Sequence, residues 1–188
     1  INQSDGDIAF SVPQVGGGGS AGVTGTVGIG NAGSGDITFT AGGANAYNFG
    51  GAVTVTSNGG TGAFQFTGTD PTFTAGAAVA FNEGDGTDDT MVLADLKDLT
   101  ITVSNANVTL PNIDGTAGDG DDETDLTVNA GNGTVSVETI DTDINDISIT
   151  GATIQLNGDM TTAVLGDDAA SIDLNGAVVL EGNRTLTS

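Results

Sequence analysis

The chain has 188 residues, enough for one domain or one stretch of a repeat array. Its 25 Asp and Glu against two cations, Lys97 and Arg184, give a formal charge of -23, which repels a phosphate backbone and an anionic bilayer surface and argues against nucleic acid as a partner. With no His and no Cys, disulfides, thiol chemistry, zinc sites and Ser/His/Asp or Cys/His catalysis are excluded.

The first apolar alternation opens near Ile8, in IAFSV. The next, SGDITFTAGG at residues 34–43, states the phrase that the chain repeats: Ile37 and Phe39 spaced by polar residues, then two glycines that stop the run. Val53/Val55, Phe64/Phe66 and Val79/Phe81 follow with the same period of two. MVLADLKDL, residues 91–99, has some helical spacing but runs straight into TITVSNANVTL, and reads as a strand edge or one turn of helix inside a weaker repeat region, 82–98. Beyond it come Leu99/Ile101/Val103, Leu126/Val128, Val135/Val137, Ile147/Ile149, Ile154/Leu156, Ile172/Leu174 and Val178/Leu180. Each set places its side chains on one face of a strand, with Thr, Ser or Asn on the other. Gly, Asn and Asp between the runs supply tight turns.

Leading strands begin near Ile8, Ile37, Val53, Val79, Leu99, Leu126, Ile147 and Ile172, and from Val79 onward the steps are 20, 27, 21 and 25 residues. Those lengths fit one solenoid coil of short strands joined by turns. ISITGATIQLNGD aligns with IDLNGAVVLEGN once one residue is deleted, and LTVNAGNGTVSV has the same two-strand grammar. A β-sandwich fibre subunit is the alternative, since it too has many short strands. The repetition of motif as well as length, the scarcity of aromatics and the small β-branched pairs favour an all-β parallel β-helix. Its expected extent is about seven to nine irregular coils, in a single domain over 1–188 or a segment of a longer array. The chain starts with Ile rather than Met, which suggests a processed or excised segment. No apolar run approaches the ~20 residues of a membrane helix, so no membrane insertion is expected.

GDITFTAGG, LTVNAGNGTVSV and LNGAVVLEGNRTLTS resemble the β-strand repeats of filamentous-haemagglutinin-type and autotransporter-type bacterial surface proteins. The resemblance covers most of the chain in its grammar and is weaker across residues 82–98. It implies a right-handed parallel β-helix, export, and adhesive or scaffold duty at the cell surface.

Catalysis is poorly provided for. A β-helix lyase would want basic residues in its groove, and a sugar site would want Trp, of which there is none. The chain is therefore expected not to be an enzyme. Two acidic loops are candidates for a hard cation, because Asp-Gly alternation can supply many oxygens from a flexible loop. They are NEGDGTDD, with Asp85, Asp88 and Asp89, and DGTAGDGDDETD, with Asp119, Asp121, Asp122 and Asp125. Neither fits an EF-hand, and Ca2+ is the one cofactor considered. Four N-x-S/T sequons, at Asn2, Asn107, Asn132 and Asn183, are close to the chance number. Thr38/Thr40, Thr54/Thr56 and Thr100/Thr102 invite an ice-binding reading. A flat array would need the pair in every coil, however, and the segments at Val135–Val137, Ile147–Ile149 and Ile172–Leu174 do not keep it, so the threonines read as ordinary outward strand residues.

A solenoid has open strand edges at its ends unless capped, and no amphipathic capping helix is visible at either end of the chain. NRTLTS followed by GDIAF would make another coil of the same grammar. The expected partner is therefore a second copy, head to tail, through Ile1, Ile8, Phe10 and Val12 on one side and Arg184 and Leu186 on the other. Asp5 and Asp7 would offset Arg184. The functional expectation is a structural extracellular protein, a cell-surface fibre or part of an adhesin stalk. The alternative is a calcium-dependent adhesin module binding a sugar or protein.

Overall fold

The structure is a computed structural model, and it describes residues 2–3, 8–12, 20–23, 27–31, 37–41, 46–57, 64–68, 72–83, 90–93, 98–115, 124–141, 143–164 and 169–188. Among them there is no helix. The strands come in threes, one for each face of a coil. They begin with β1 (Asn2–Gln3), β2 (Ile8–Val12) and β3 (Ser20–Val23), then β4 (Val27–Asn31), β5 (Ile37–Ala41) and β6 (Ala46–Phe49). Next are β7 (Val53–Ser57), β8 (Phe64–Gly68) and β9 (Thr72–Ala75), then β10 (Val79–Glu83), β11 (Thr90–Leu93) and β12 (Leu99–Val103). β13 (Val108–Leu110), β14 (Asn112–Gly115), β15 (Leu126–Asn129) and β16 (Thr134–Val137) continue the series. The last are β17 (Asp146–Leu156), β18 (Met160–Thr161), β19 (Ser171–Leu180) and β20 (Leu186–Thr187). The stretch read as a strand edge or helical turn is strand over Thr90–Leu93.

All the pairings are parallel, so the chain forms a β-solenoid with three faces. Face one stacks β1, β4, β7, β10, β13 and β16 onto the second half of β17. Face two stacks β2, β5, β8, β11 and β14, and single bridges at Ile140 carry it on to β18 and β20. Face three stacks β3, β6, β9, β12 and β15 onto the first half of β17. β19 pairs along both halves of β17. The pairing of β17 with β19 shifts by one residue between Thr150 and Thr153, where the sequence alignment needed its deletion.

Alternation then builds the core. On face one, Val53, Val79, Val108, Val135 and Ile154 are successive partners, and all are buried. β-Branched side chains stacked in this way lose little rotamer freedom, because they start with little. The few aromatics are gathered in one block. Phe39 stacks on Phe66 at 5.1 Å and meets Tyr47, Phe73 and Phe81 edge-on. The sequence spread them over more than forty positions; a coil of 26–29 residues brings them together, each burial contributing roughly 1.5–3 kcal/mol.

In four consecutive turns, over 53–75, 79–103, 108–128 and 135–149, every inward strand residue described is buried. The fully packed solenoid is thus about four turns long, which corrects the expectation of seven to nine coils. Strand starts overcounted because Val79 and Leu99 open two faces of a single turn. The ladders also thin out at the ends, where Phe49, Ile172 and Leu174 are only partly buried.

Turns between faces are held by side chains that reach one coil onward. Asn105 Oδ1 accepts the Asn132 N–H at 3.1 Å, Asn107 Oδ1 the Thr134 N–H at 3.0 Å, and Asn112 Oδ1 the Thr139 N–H at 3.1 Å. Asp98 Oδ1 accepts the Asp125 N–H at 3.1 Å and Asp159 Oδ1 the Thr185 N–H at 2.9 Å. These bonds satisfy backbone donors at corners, where the ladder itself cannot. Coils also approach closely at a few glycines. A methyl on Gly133 would overlap the Ala106 carbonyl oxygen, and Gly131, at φ +55°, sits in the left-handed region that glycine enters without strain.

Candidate functional site

The site that the coil geometry builds is the outer side of β19 and β20, the last described strands. β17 has neighbours on both sides, whereas among the described strands β19 pairs with β17 alone. The consequence appears column by column. Ile154 and Met160 are fully buried; their partners one coil on, Val178 and Leu186, are 42% and 43% exposed. Val179, on the outward column, is exposed as well. Exposed apolar side chains at Val178, Val179, Leu180 and Leu186 therefore border a strand whose outer row of N–H and C=O groups faces no other described strand.

Arg184 lies in the turn between β19 and β20. It is half-buried, and its Nε is buried with no hydrogen-bond partner among the described residues. Leaving such a donor unpaired costs about 1–3 kcal/mol.

The opposite end carries the other half of the expected interface. Ile8, Phe10 and Val12 lie on β2, in register with Ile37, Phe39 and Ala41. Following the partners from Ile8 through Ile37, Phe64, Met91, Ile113, Ile140 and Met160 leads to Leu186. Among the described residues Ile8 and Leu186 are thus the first and last members of one column. Ile1, Asp5 and Asp7 lie outside the described residues.

Of the candidate cation ligands, Asp85, Asp88, Asp89, Asp119, Asp121 and Asp122 also lie outside the described residues. Asp125 is described and sits in a ladder of turn contacts. Its N–H donates to Asp98 Oδ1, and its own Oδ1 accepts the Asp146 N–H at 3.0 Å. Asp146 Oδ1 accepts the Ser171 hydroxyl at 2.7 Å. Among the described residues no group of three or more carboxylates is placed to hold a metal ion.

Asp114 on β14 is the first residue of the acidic stretch DGTAGDGDDETD, though not one of the ligands named from it. Burial raises its pKa above the usual carboxylate value, and the Asp141 and Asp143 carboxylates raise it further. It borders a hollow of about 240 Å³ with Thr90, Asn112, Thr139 and Asp141. A second hollow of about 260 Å³, between Phe81, Asn82, Pro111 and Glu138, lies at the neighbouring corner. Sequence reasoning also missed the corner acceptors Asp98, Asn105, Asn107, Asn112 and Asp159. The signal was the 27-residue interval from Asp98 to Asp125, Asn105 to Asn132, Asn107 to Thr134 and Asn112 to Thr139.

No protein-family model, curated protein or solved structure matches the chain.

Proposed function

We propose that the chain is a structural β-solenoid of an extracellular, cell-surface fibre or stalk, lengthened by a coil of a second copy stacking on β19 and β20. The observation that carries this reading is the emergence of buried columns at one open end: Leu156 is fully buried and its partner Leu180 is 47% exposed. A further coil would cover Val178, Leu180 and Leu186 and pair the outer edge of β19. The head of a second copy fits the role because Ile8 continues the register position that Leu186 ends. It would also offer Arg184 an acceptor. The acidic surface suits a rod that stays soluble until its ends meet.

The test is negative-stain microscopy and sedimentation of the purified chain over a range of concentration and salt. Rods that lengthen with concentration, and more so at higher ionic strength, are expected, because salt screens repulsion between copies of charge -23. Leu180→Asp and Val178→Asp should give folded rods of one length. A chain that stays monomeric under all these conditions overturns self-association.

A further inference from the structure

The outward residues of face three form a regular two-dimensional array. Thr72, Thr100, Thr127 and Ser148 are successive partners in one column, and Thr74, Thr102, Asn129 and Thr150 in a second. The register is unbroken through all four turns that are fully packed. The spacing is therefore about 4.7–4.9 Å between coils and about 6.6 Å between the columns, set by strand geometry alone. Seven of these eight side chains are half-buried against their neighbours, and Asn129 is exposed.

This placement revises the sequence reading of the threonines. Thr38/Thr40 lie on face two and Thr54/Thr56 on face one, so they belong to no common array with Thr100/Thr102. Two of the three segments that break the pattern in the sequence do not break it in the fold; Ile172–Leu174, on β19 of face three, does, since its outward Asp173 and Asn175 follow Ser148 and Thr150 in the two columns. Ile147 and Ile149 point into the core, and the outward residues beside them are Ser148 and Thr150. Val135 and Val137 belong to face one.

The other faces carry no such array. Within the same four turns the matching outward column of face one is Thr54, Ala80, Thr109 and Ser136, broken at Ala80, and it runs on into Gln155 and Val179. On face two, Val92 and Asp114 interrupt. In a chain with 25 acidic residues, the eight positions of the four packed turns hold hydroxyls and one amide and no charge, and Asp173 follows Ser148 in the next coil.

We infer that face three is a binding surface for ordered water, and that its ligand is the surface of an ice crystal. The ligand must repeat at the array's interval of about 4.7–4.9 Å between coils, which the oxygen lattice of hexagonal ice does closely along its a axis. An uncharged ligand suits it, since within the four packed turns the array has no ionic partner to offer. A single sugar chain is a poorer fit, because no aromatic platform stands among the columns. Each hydroxyl supplies one donor and two acceptors. Threonine is stiff at χ1, and packing on a rigid ladder leaves little rotamer freedom to lose. One water held by one threonine is bound weakly, but a lattice engages every position at once, so the small gains combine without a matching entropy cost.

The test is partition of the purified chain into a slowly growing ice hemisphere, against a carrier protein that ice excludes. Wild type should be enriched several-fold in the ice fraction over the carrier. Thr102→Tyr, in the middle of the array, should fall to the carrier's level, and Thr54→Tyr on face one should match wild type. Thr74→Lys, whose flexible stem can lie along the sheet, serves if Thr102→Tyr does not fold by circular dichroism. Exclusion of wild type from ice overturns the inference. So does equal loss in the face-one variant, or capture by crystalline cellulose or chitin that depends on Thr102 while ice uptake does not. None of these readouts requires assembly, so failure of the fibre proposal leaves this result readable.

Discussion

Leu156 and Leu180 are partners on adjacent coils of one column, yet Leu156 is fully buried while Leu180 is 47% exposed. The difference measures what a covering coil does. Leu156→Ala should cost about 2–5 kcal/mol, through lost transfer energy and a cavity. Leu180→Ala in the unassembled chain should cost less than about 1.5 kcal/mol, since much of its surface already meets water. Urea unfolding at low protein concentration checks both. Equal costs would mean that the end is already covered.

Close approach of coils makes some glycines irreplaceable. Gly133→Ala should destabilise by about 1–3 kcal/mol, because the added methyl meets the Ala106 backbone carbonyl and backbone cannot swing aside as a side-chain tip can. Gly28→Ala, with nothing within 4 Å of the new methyl, should change stability by less than about 0.5 kcal/mol. Paired thermal melts of the two variants decide it.

Asp114 sits where its charge is disfavoured. Its pKa is raised by burial, then by Asp141 and Asp143. Between the ordinary carboxylate value and the raised one, the folded state holds the proton more tightly than the unfolded state. This group therefore subtracts stability as pH rises through that window, and the full cost persists at neutral pH. Asp114→Asn should raise the melting temperature at neutral pH and leave it unchanged well below the window. A lower melting temperature at neutral pH would show that the carboxylate is held by a favourable partner.

Tyr47 is the chain's one tyrosine, and there is no tryptophan, so its titration can be followed without interference. Burial among Phe39 and Phe73 pushes its pKa up to about 12. The folded state keeps the phenol protonated while the unfolded state ionises near 10, so stability falls as pH rises from about 10 towards 12. Ultraviolet absorbance should show no phenolate at pH 10, and its appearance should coincide with loss of β-sheet circular dichroism. Ionisation near pH 10 in the folded chain would place the hydroxyl in water.

The period of two is local, and the sequence by itself determined what depends on it: strands, the buried residue at each alternate position, and a parallel solenoid in place of helices. It even carried the one-residue slip between β17 and β19, because paired coils copy one another. Which strands share a face was decided only in three dimensions. Val79 and Leu99 read as successive coil starts, yet they lie on different faces of one turn, since a coil closes on the sum of three strands and three corners that vary in length. For the same reason Thr38, Thr54 and Thr100 looked like one set and lie on three faces, while Thr72, Thr100, Thr127 and Ser148 share a column. Asp125 accepts the Asp146 N–H one coil away. Its partner is 21 residues distant, and no local pattern could identify it until the length of that coil was known. The exposure of Leu180 has the same origin: its residue type and spacing match those of Leu156, and only the stacking order says which of the two has a neighbour above it.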